Sequence, residues 1–323
     1  MREIKVQDSV GKILCHDITQ IVRGVVKDAK FRKGHIIAAE DIPELLKLGK
    51  ENIFVWENDD TKLHENDAAQ ILRAITQGEN LSASSVKEGK IELKATTDGV
   101  FHVDAEKLNA INAVEEICIA TVQNKIPVRK NKSVAGMRVI PLVIDKEKME
   151  RVREIAGGVP LMKILLYKKF KVGLVVTGSE IFHGRIEDTF TPVIEAKLKT
   201  FGLNVDARKV SDDSKEMTRE KISELLGLGM EMILCTGGMS VDPDDRTPAA
   251  ISSTGASVVT YGVPVLPGAM FMLAYLGDVP IMGLPGCVMF CSRTVFDMIL
   301  PRVLTGEKLS RRDFTTLGVG GLL

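Results

Sequence analysis

Strand-like runs and helical periods alternate along this chain, most regularly after about Phe170. There KVGLVV, LNVDARKV, MEMILC and VPIMGL read as strands. TPVIEAKLKTFG reads as a helix, with Thr191 as cap, Pro192 in the first position and Gly202 as stop. SKEMTREKISELLGLG reads as a second helix, with Ile222, Leu225 and Leu226 facing inward. TPAAISSTG predicts a short helix capped by Thr247, and GCVMFCSRTVFDMILPRVL a long apolar one. This alternation predicts an α/β fold: a mostly parallel sheet with helices on both faces, three layers in all.

The pattern before Phe170 is more mixed and predicts an α+β, β-rich region. GKILCHDIT and GVVKDAKFRKGHII read as strands broken by glycines, and NIFVWE as a further strand. DIPELLKLG is a short helix capped by Asp41, with Pro43 in its first turn and Gly49 at its end. After the polar connection ENDDTKLHEND, DAAQILRAITQG is a helix with Ile71, Leu72 and Ile75 on one face. GKIELKATTDGVFHVD reads as two strands around a turn at Asp98-Gly99. AEKLNAINAVEE and KEKMERVREIAGG read as helices, ICIATVQNKIPV and GMRVIPLVID as strands. The expected domains are 1–60, small and β-rich; 61–165, α+β; 166–310, α/β; and 311–323, a tail.

Composition narrows the function. A chain of 323 residues suggests about two domains. The formal net charge is zero and aromatics are 5%, so neither nucleic acid nor an anionic membrane is an expected partner. No apolar run is long enough to span a membrane, and MREIKVQDSVGKIL lacks the apolar core of a signal peptide; a cytoplasmic location is expected. The five cysteines are scattered, without a CxxC pair, and read as buried small hydrophobes, with Cys287 and Cys291 on one helix face.

In an open parallel sheet ligands bind outside the carboxyl ends of the strands. The first strand is followed by Thr177-Gly178-Ser179-Glu180 and by residues 183–189, the second by Ser211-Asp212-Asp213. The third is followed by TGGMSVDPDD (236–245) and the last by Leu284-Pro285-Gly286. Glycines let backbone amides approach an anionic group. Carboxylates repel such a group unless a metal ion or a proton-transfer task shares the space. Glycine amides plus aspartates therefore suit a phosphorylated ligand handled with Mg²⁺. There is no GxxxxGK[ST], no GxGxxG and no GxSxG, which argues against a P-loop nucleotidase, a dinucleotide dehydrogenase and a serine hydrolase. The same acids have plainer readings. Asp213-Ser214-Lys215-Glu216 fits a capping box, Asp242 and Asp244 flank a turn proline, and Glu180 and His183 fit a solvated loop.

The motifs in this region form a recognisable set. They are TGSEI (177–181), GRIEDTF (184–190), SDD (211–213), TGGMSVDPDDRTP (236–248), PVLPGA (264–269) and LPG (284–286). In that order they make residues 171–307 resemble the molybdopterin-binding domain of molybdenum-cofactor biosynthesis proteins. GGMS resembles the molybdotransferase branch; DDRTP resembles the adenylyltransferase and competence-damage branches. KFRKGHIIAAEDIPELLKLGKENIFV resembles the linker region of the molybdotransferases. The sequence departs from the family pattern at Cys287-Val288 after LPG, at Phe190 and at Asp242, which stands where a glycine is usual. The β-rich domain that follows in molybdotransferases is not expected here.

The resemblance implies molybdopterin or its adenylate as ligand, with Mg²⁺ and molybdate. It implies ligand binding by Thr177, Gly178, Asp188, Thr236, Gly237, Gly238, Met239, Ser240, Asp244, Thr247, Pro267, Gly268, Pro285 and Gly286. Asp245, Asp212 and Glu180 would be catalytic, with Asp245 and Asp212 holding the metal. A homo-oligomer is expected. Three other readings stand beside this one: a binding, delivery or sensing protein whose residues 1–165 recognise a molybdoenzyme target, a nucleotide pyrophosphatase of the competence-damage kind, and a fold whose acids only cap helices.

Overall fold

The structure, a computed structural model, describes residues 1–22, 26–55 and 59–323. The predicted strand positions Gly24-Val25 and Trp56-Glu57 lie outside the described residues. The chain divides into two compact units, Met1–Leu165 and Leu166–Leu323.

The first unit holds two apolar clusters. One gathers Leu14, Phe31, Leu45 and Ile53 around the antiparallel pairs Arg2–Lys5 with Asn52–Val55 and Ile18–Val22 with Val26–Phe31. The helix Asp41–Lys47 begins on Asp41 rather than after it, because the Asp41 carboxylate reaches back to Ala38 N (2.9 Å) and His35 (2.6 Å). The other cluster packs Ala68, Ala69 and Leu72 of the helix Glu65–Thr76 among two further sheets. Asp98-Gly99 is not a hairpin turn. Ile91–Ala95 pairs with Ser133–Val139, whereas Gly99–Val103 pairs with Met162–Leu165 in a separate sheet. The Asp98 carboxylate is spent across the chain, on Arg129 (2.6 Å) and Lys130 N (2.8 Å). Gly99 serves close packing, since a Cβ there would strike Ile164 at 2.5 Å.

Strands and helices of the second unit are numbered from its own start. The strands are β1 (Val172–Thr177), β2 (Val205–Ser211), β3 (Met232–Thr236), β4 (Ser257–Tyr261), β5 (Met272–Leu276) and β6 (Val279–Leu284). The helices are α1 (Ser179–Phe182), α2 (Phe190–Lys199), α3 (Lys215–Gly227), α4 (Thr247–Ser253), α5 (Val295–Leu304) and α6 (Arg311–Thr315). One six-stranded sheet runs in the order β2-β1-β3-β6-β5-β4. The first four strands of that order are parallel; β5 runs antiparallel to both β6 and β4, so β4 points the same way as those four.

Successive side chains on a strand face opposite sides. Leu174 and Val176 of β1 join a core with Ile194 of α2 and Phe296 of α5. Val175 joins a second core with Ile222 of α3 and Ile251 of α4. The unit is thus a three-layer α/β/α fold, as the alternation predicts. Its register sets the site: Thr177 lies opposite Ser211, Val176 opposite Thr236, and Thr236 opposite Leu284. The four parallel strands therefore end side by side.

Several local expectations change. The pair β4–β5 was not expected. The long apolar helix is two pieces, a 3-10 turn at Gly286–Met289 and α5, because Thr294 and Asp297 form a reciprocal capping box that starts α5 afresh. Thr191 does not cap α2; Asp188 accepts Phe190 N (2.9 Å) and Thr191 N (3.0 Å) instead. Thr247 is the first residue of α4 rather than its cap. The segment 311–323 is no loose tail. Phe314 is fully buried and stacks on Phe271 at 6.1 Å, a burial that contributes about 2 kcal/mol. Arg302 fastens it through Asp313 (2.5 Å) and Glu307 (3.1 Å).

Candidate functional site

The carboxyl ends of β1 and β3 carry Thr177 and Thr236, and the turn that leaves β3 passes close over the end of β1. Gly237 follows β3 at φ +84°, and a Cβ on it would run into the Thr177 carbonyl at the end of β1. Gly238, at φ +57°, approaches Thr247 Oγ1 so closely that a Cβ would stand 2.8 Å from it. Thr177 Oγ1 donates to the Thr236 carbonyl (2.9 Å) and stands 3.3 Å from Thr247 Oγ1, which donates to the Gly237 carbonyl (2.9 Å). Thr247 N closes the loop on the Gly238 carbonyl (3.1 Å). The N–H groups of Gly237, Gly238 and Met239 have no acceptor among the described residues.

These amides open on a cleft of about 380 Å³. Gly237, Gly238, Met239 and Ser240 form one wall, and Pro285 and Gly286 at the end of β6 another. Asp245 also lines it; its Oδ2 accepts Ser240 N at 3.1 Å. Ala269, Met270 and Cys287 complete the lining. Burial, followed by the neighbouring Cys291, pushes the Cys287 thiol up, so it enters the cleft as a neutral donor. Behind the site Cys235 is wholly buried and its thiol is pushed up to about 12.

The other expected residues divide by what they touch. Thr177 and Thr247 are buried and hold the glycine turn from behind. Thr236 is buried on the face shared by Val176 and Leu284, and its hydroxyl has no partner among the described residues. An unpaired buried hydroxyl costs about 1–3 kcal/mol. Pro267 and Gly268 sit one step behind the wall residue Ala269: Pro267 O accepts Val295 N (3.4 Å) and Gly268 O accepts Phe271 N (3.0 Å). Gly178 donates to the Ser211 carbonyl (3.2 Å). Asp244 and Glu180 are exposed, Glu180 on the single turn α1.

Three acids have local duties. Asp188 is nearly buried and binds the start of α2, including the Thr191 hydroxyl, and Arg208 of β2 at 2.7 Å. Burial alone would raise its carboxyl; the bonds from Thr191, Arg208 and Phe190 outweigh that and hold it below the ordinary value. The capping box expected at Asp213 does not form: Ser214 caps α3 through Met217 N (3.2 Å), without a reciprocal bond. Asp213 instead ties down the first loop at Ser179 N (2.9 Å), and Asp212 folds back on Ser214 N (2.8 Å). Among the described residues, no three His, Cys, Asp or Glu side chains converge as a metal centre.

Four residues at or beside the cleft are absent from the expected site set: Tyr261, Met270, Ala269 at the end of PVLPGA, and Cys287, the departure after LPG. Tyr261, at the end of β4, donates to the Met239 carbonyl at 3.1 Å. Its phenol is raised by burial and then by the Asp245 charge, which places it beside the cleft acid. A larger cavity, about 700 Å³, lies elsewhere, between α2 and Phe290 and Cys291, and holds none of the expected residues.

In a three-layer α/β/α fold with an open parallel sheet, the carboxyl ends of the strands are where ligands bind. Residues 173–305 match the family model described as "Probable molybdopterin binding domain". Residues 3–57 match a separate one, "Domain of unknown function (DUF8806)". Among similar proteins, the molybdopterin molybdenumtransferase of Staphylococcus epidermidis is 29% identical over 131 residues, 38% of this chain and 31% of the relative. The molybdenum cofactor synthesis protein cinnamon of Drosophila melanogaster is 27% identical over 168 residues, 47% of this chain and 28% of the relative. The matched part thus spans about a third of these relatives. The molybdopterin biosynthesis enzyme MoaB of Thermus thermophilus aligns with a TM-score of 0.35 at 21% identity, over 43% of this chain and 98% of that one. No helix among the described residues is long and apolar enough to cross a membrane.

Proposed function

We propose that the second unit binds molybdopterin or its adenylate by its phosphate and that the protein acts in molybdenum-cofactor biosynthesis in the cytoplasm. One observation carries the reading: Gly237, Gly238 and Met239, whose N–H groups have no acceptor among the described residues, line a cleft together with Asp245. Unpaired amides at a strand end suit a phosphate, and no side chain fits where the turn passes Thr177.

Asp245 has an oxygen left over from its bond to Ser240 N. Mg²⁺ takes one or two carboxylates together with substrate phosphates, so Asp245 and the ligand would hold it jointly. The metal would neutralise charge at a phosphoanhydride, and molybdate would enter as second substrate. Glu180 and Asp212 are secondary candidates for that exchange. Homo-oligomerisation and a molybdoenzyme target belong to the same proposal.

A second reading, binding and delivery without chemistry, draws on the acids themselves. Asp212 and Asp188 are engaged with backbone, and no metal-binding cluster is preformed among the described residues. Titration of the pure protein with molybdopterin and with its adenylate, followed by assay of AMP release with and without molybdate and Mg²⁺, separates the two. Binding with AMP release supports transfer; binding without release supports delivery; absence of binding to either compound removes both.

A further inference from the structure

Residues 311–323 run to the back of the cleft wall. We propose that they act as a strap that positions the Pro264–Ala269 turn, and through it the wall formed by Ala269 and Met270; its value for ligand binding rests on the function proposed above.

The strap pairs with the turn through backbone on both sides of one residue. Leu266 N donates to the Gly321 carbonyl (2.8 Å), and Leu323 N donates to the Leu266 carbonyl (2.8 Å), a parallel bridge centred on Leu266 and Leu322. Gly321 passes so near the carbonyls of Pro264 and Leu317 that no Cβ can be placed there. From Leu266 the path continues in backbone bonds. Pro267 O accepts Val295 N, Val263 N donates to Ala269 O (2.9 Å), and Gly268 packs on Val295 without room for a side chain. Ala269 and Met270 are then the cleft wall.

The strap has its own anchors. Phe314 is buried against Phe271, the residue just after the wall. Arg311 reaches the Thr260 hydroxyl and the Gly262 carbonyl (3.4 Å), at the start of the same turn. Asp313 is held by Arg302 of α5. Val265 anchors the turn in the core, whereas Pro264 and Leu266 on either side of it are exposed. At Leu266 the turn is held by backbone pairing with the strap, which adds to the Val265 anchor.

Amide hydrogen exchange tests this on the full chain, with Gly321→Val, Arg311→Ala and removal of residues 319–323 as variants. Val319→Ser is the control, because Val319 is 98% exposed. Exchange over 262–271 is expected to rise by about tenfold or more in Gly321→Val and in the shortened chain, with residues 172–176 and 232–236 unchanged. Unchanged exchange over 262–271 in both overturns the strap. If the shortened chain unfolds, Gly321→Val and the milder Arg311→Ala decide it. The binding arm uses molybdopterin itself: Gly321→Val should weaken it by about tenfold. Loosened exchange with unaltered binding overturns the link to the cleft. Failure of the unaltered chain to bind removes the function proposed above, and exchange alone then decides the strap.

Discussion

The hydroxyls of Thr177 and Thr247 meet at 3.3 Å behind the Gly237-Gly238 turn, joining the ends of β1 and β3 to the start of α4. Thr247→Val removes the donor to the Gly237 carbonyl and leaves that oxygen unpaired. The expected cost is about 1–3 kcal/mol in chemical denaturation. Ligand affinity measured by calorimetry should fall with it, while Ser252→Ala, on the same helix, leaves affinity unchanged.

Gly237→Ala puts a methyl group against the Thr177 carbonyl at a backbone angle that favours glycine. A strained residue of this kind costs about 1–3 kcal/mol. The variant should remain folded by circular dichroism with a lower melting temperature and lose phosphate-dependent ligand binding. Wild-type affinity in this variant would argue against the amide cradle.

Asp245→Asn keeps the shape and the bond to Ser240 N but removes the charge. Any Mg²⁺-dependent AMP release should fall by about a hundredfold or more. A second readout is independent of ligand. The Tyr261 phenol is raised by burial first and by the Asp245 charge second, so the variant should titrate closer to the ordinary value without reaching it. Ring-carbon NMR of labelled tyrosine follows this directly; an unmoved Tyr261 would separate the two residues electrostatically.

Asp188 links pH to stability. Its carboxyl is held below the ordinary 3.8, so it stabilises the fold above that value and the contribution is lost as pH falls through the lower folded value. Asp188→Asn keeps an acceptor for the start of α2 but replaces the charged oxygen that meets Arg208 and the Thr191 hydroxyl, and should cost about 1–3 kcal/mol at pH 7. The gap between wild type and variant should narrow as urea midpoints are measured toward pH 3.

Glu65 in the first unit has the opposite sign. Burial raises its carboxyl and Glu88 adds to that, against the opposing charge of Arg138 at 3.5 Å. A raised acid contributes stability that is present below 4.5 and lost as pH rises through the folded value. Glu65→Gln should therefore raise the melting temperature at pH 7.5 and change it little at pH 4.5; equal effects at both would contradict a charged, buried Glu65.

The alternation of β1, α2, β2, α3, β3 and α4 was legible because period and turn residues are local properties. So was the importance of residues 236–245, since a glycine pair between a strand and a Thr-Pro helix start permits few arrangements. The duties of the acids were not legible. Asp188 and Asp245 look alike in sequence, but one meets Arg208 and the amides of α2, and the other stands in an open cleft. Likewise Tyr261 and the wall residues Ala269 and Met270 reach the site through the β4–β5 pair, whose antiparallel register brings Tyr261 opposite Met272. Sequence pattern alone determined which edge of the sheet would carry chemistry. Only tertiary structure decided which side chains reach it, because a carboxylate or hydroxyl becomes available or spent according to the backbone groups that folding places beside it.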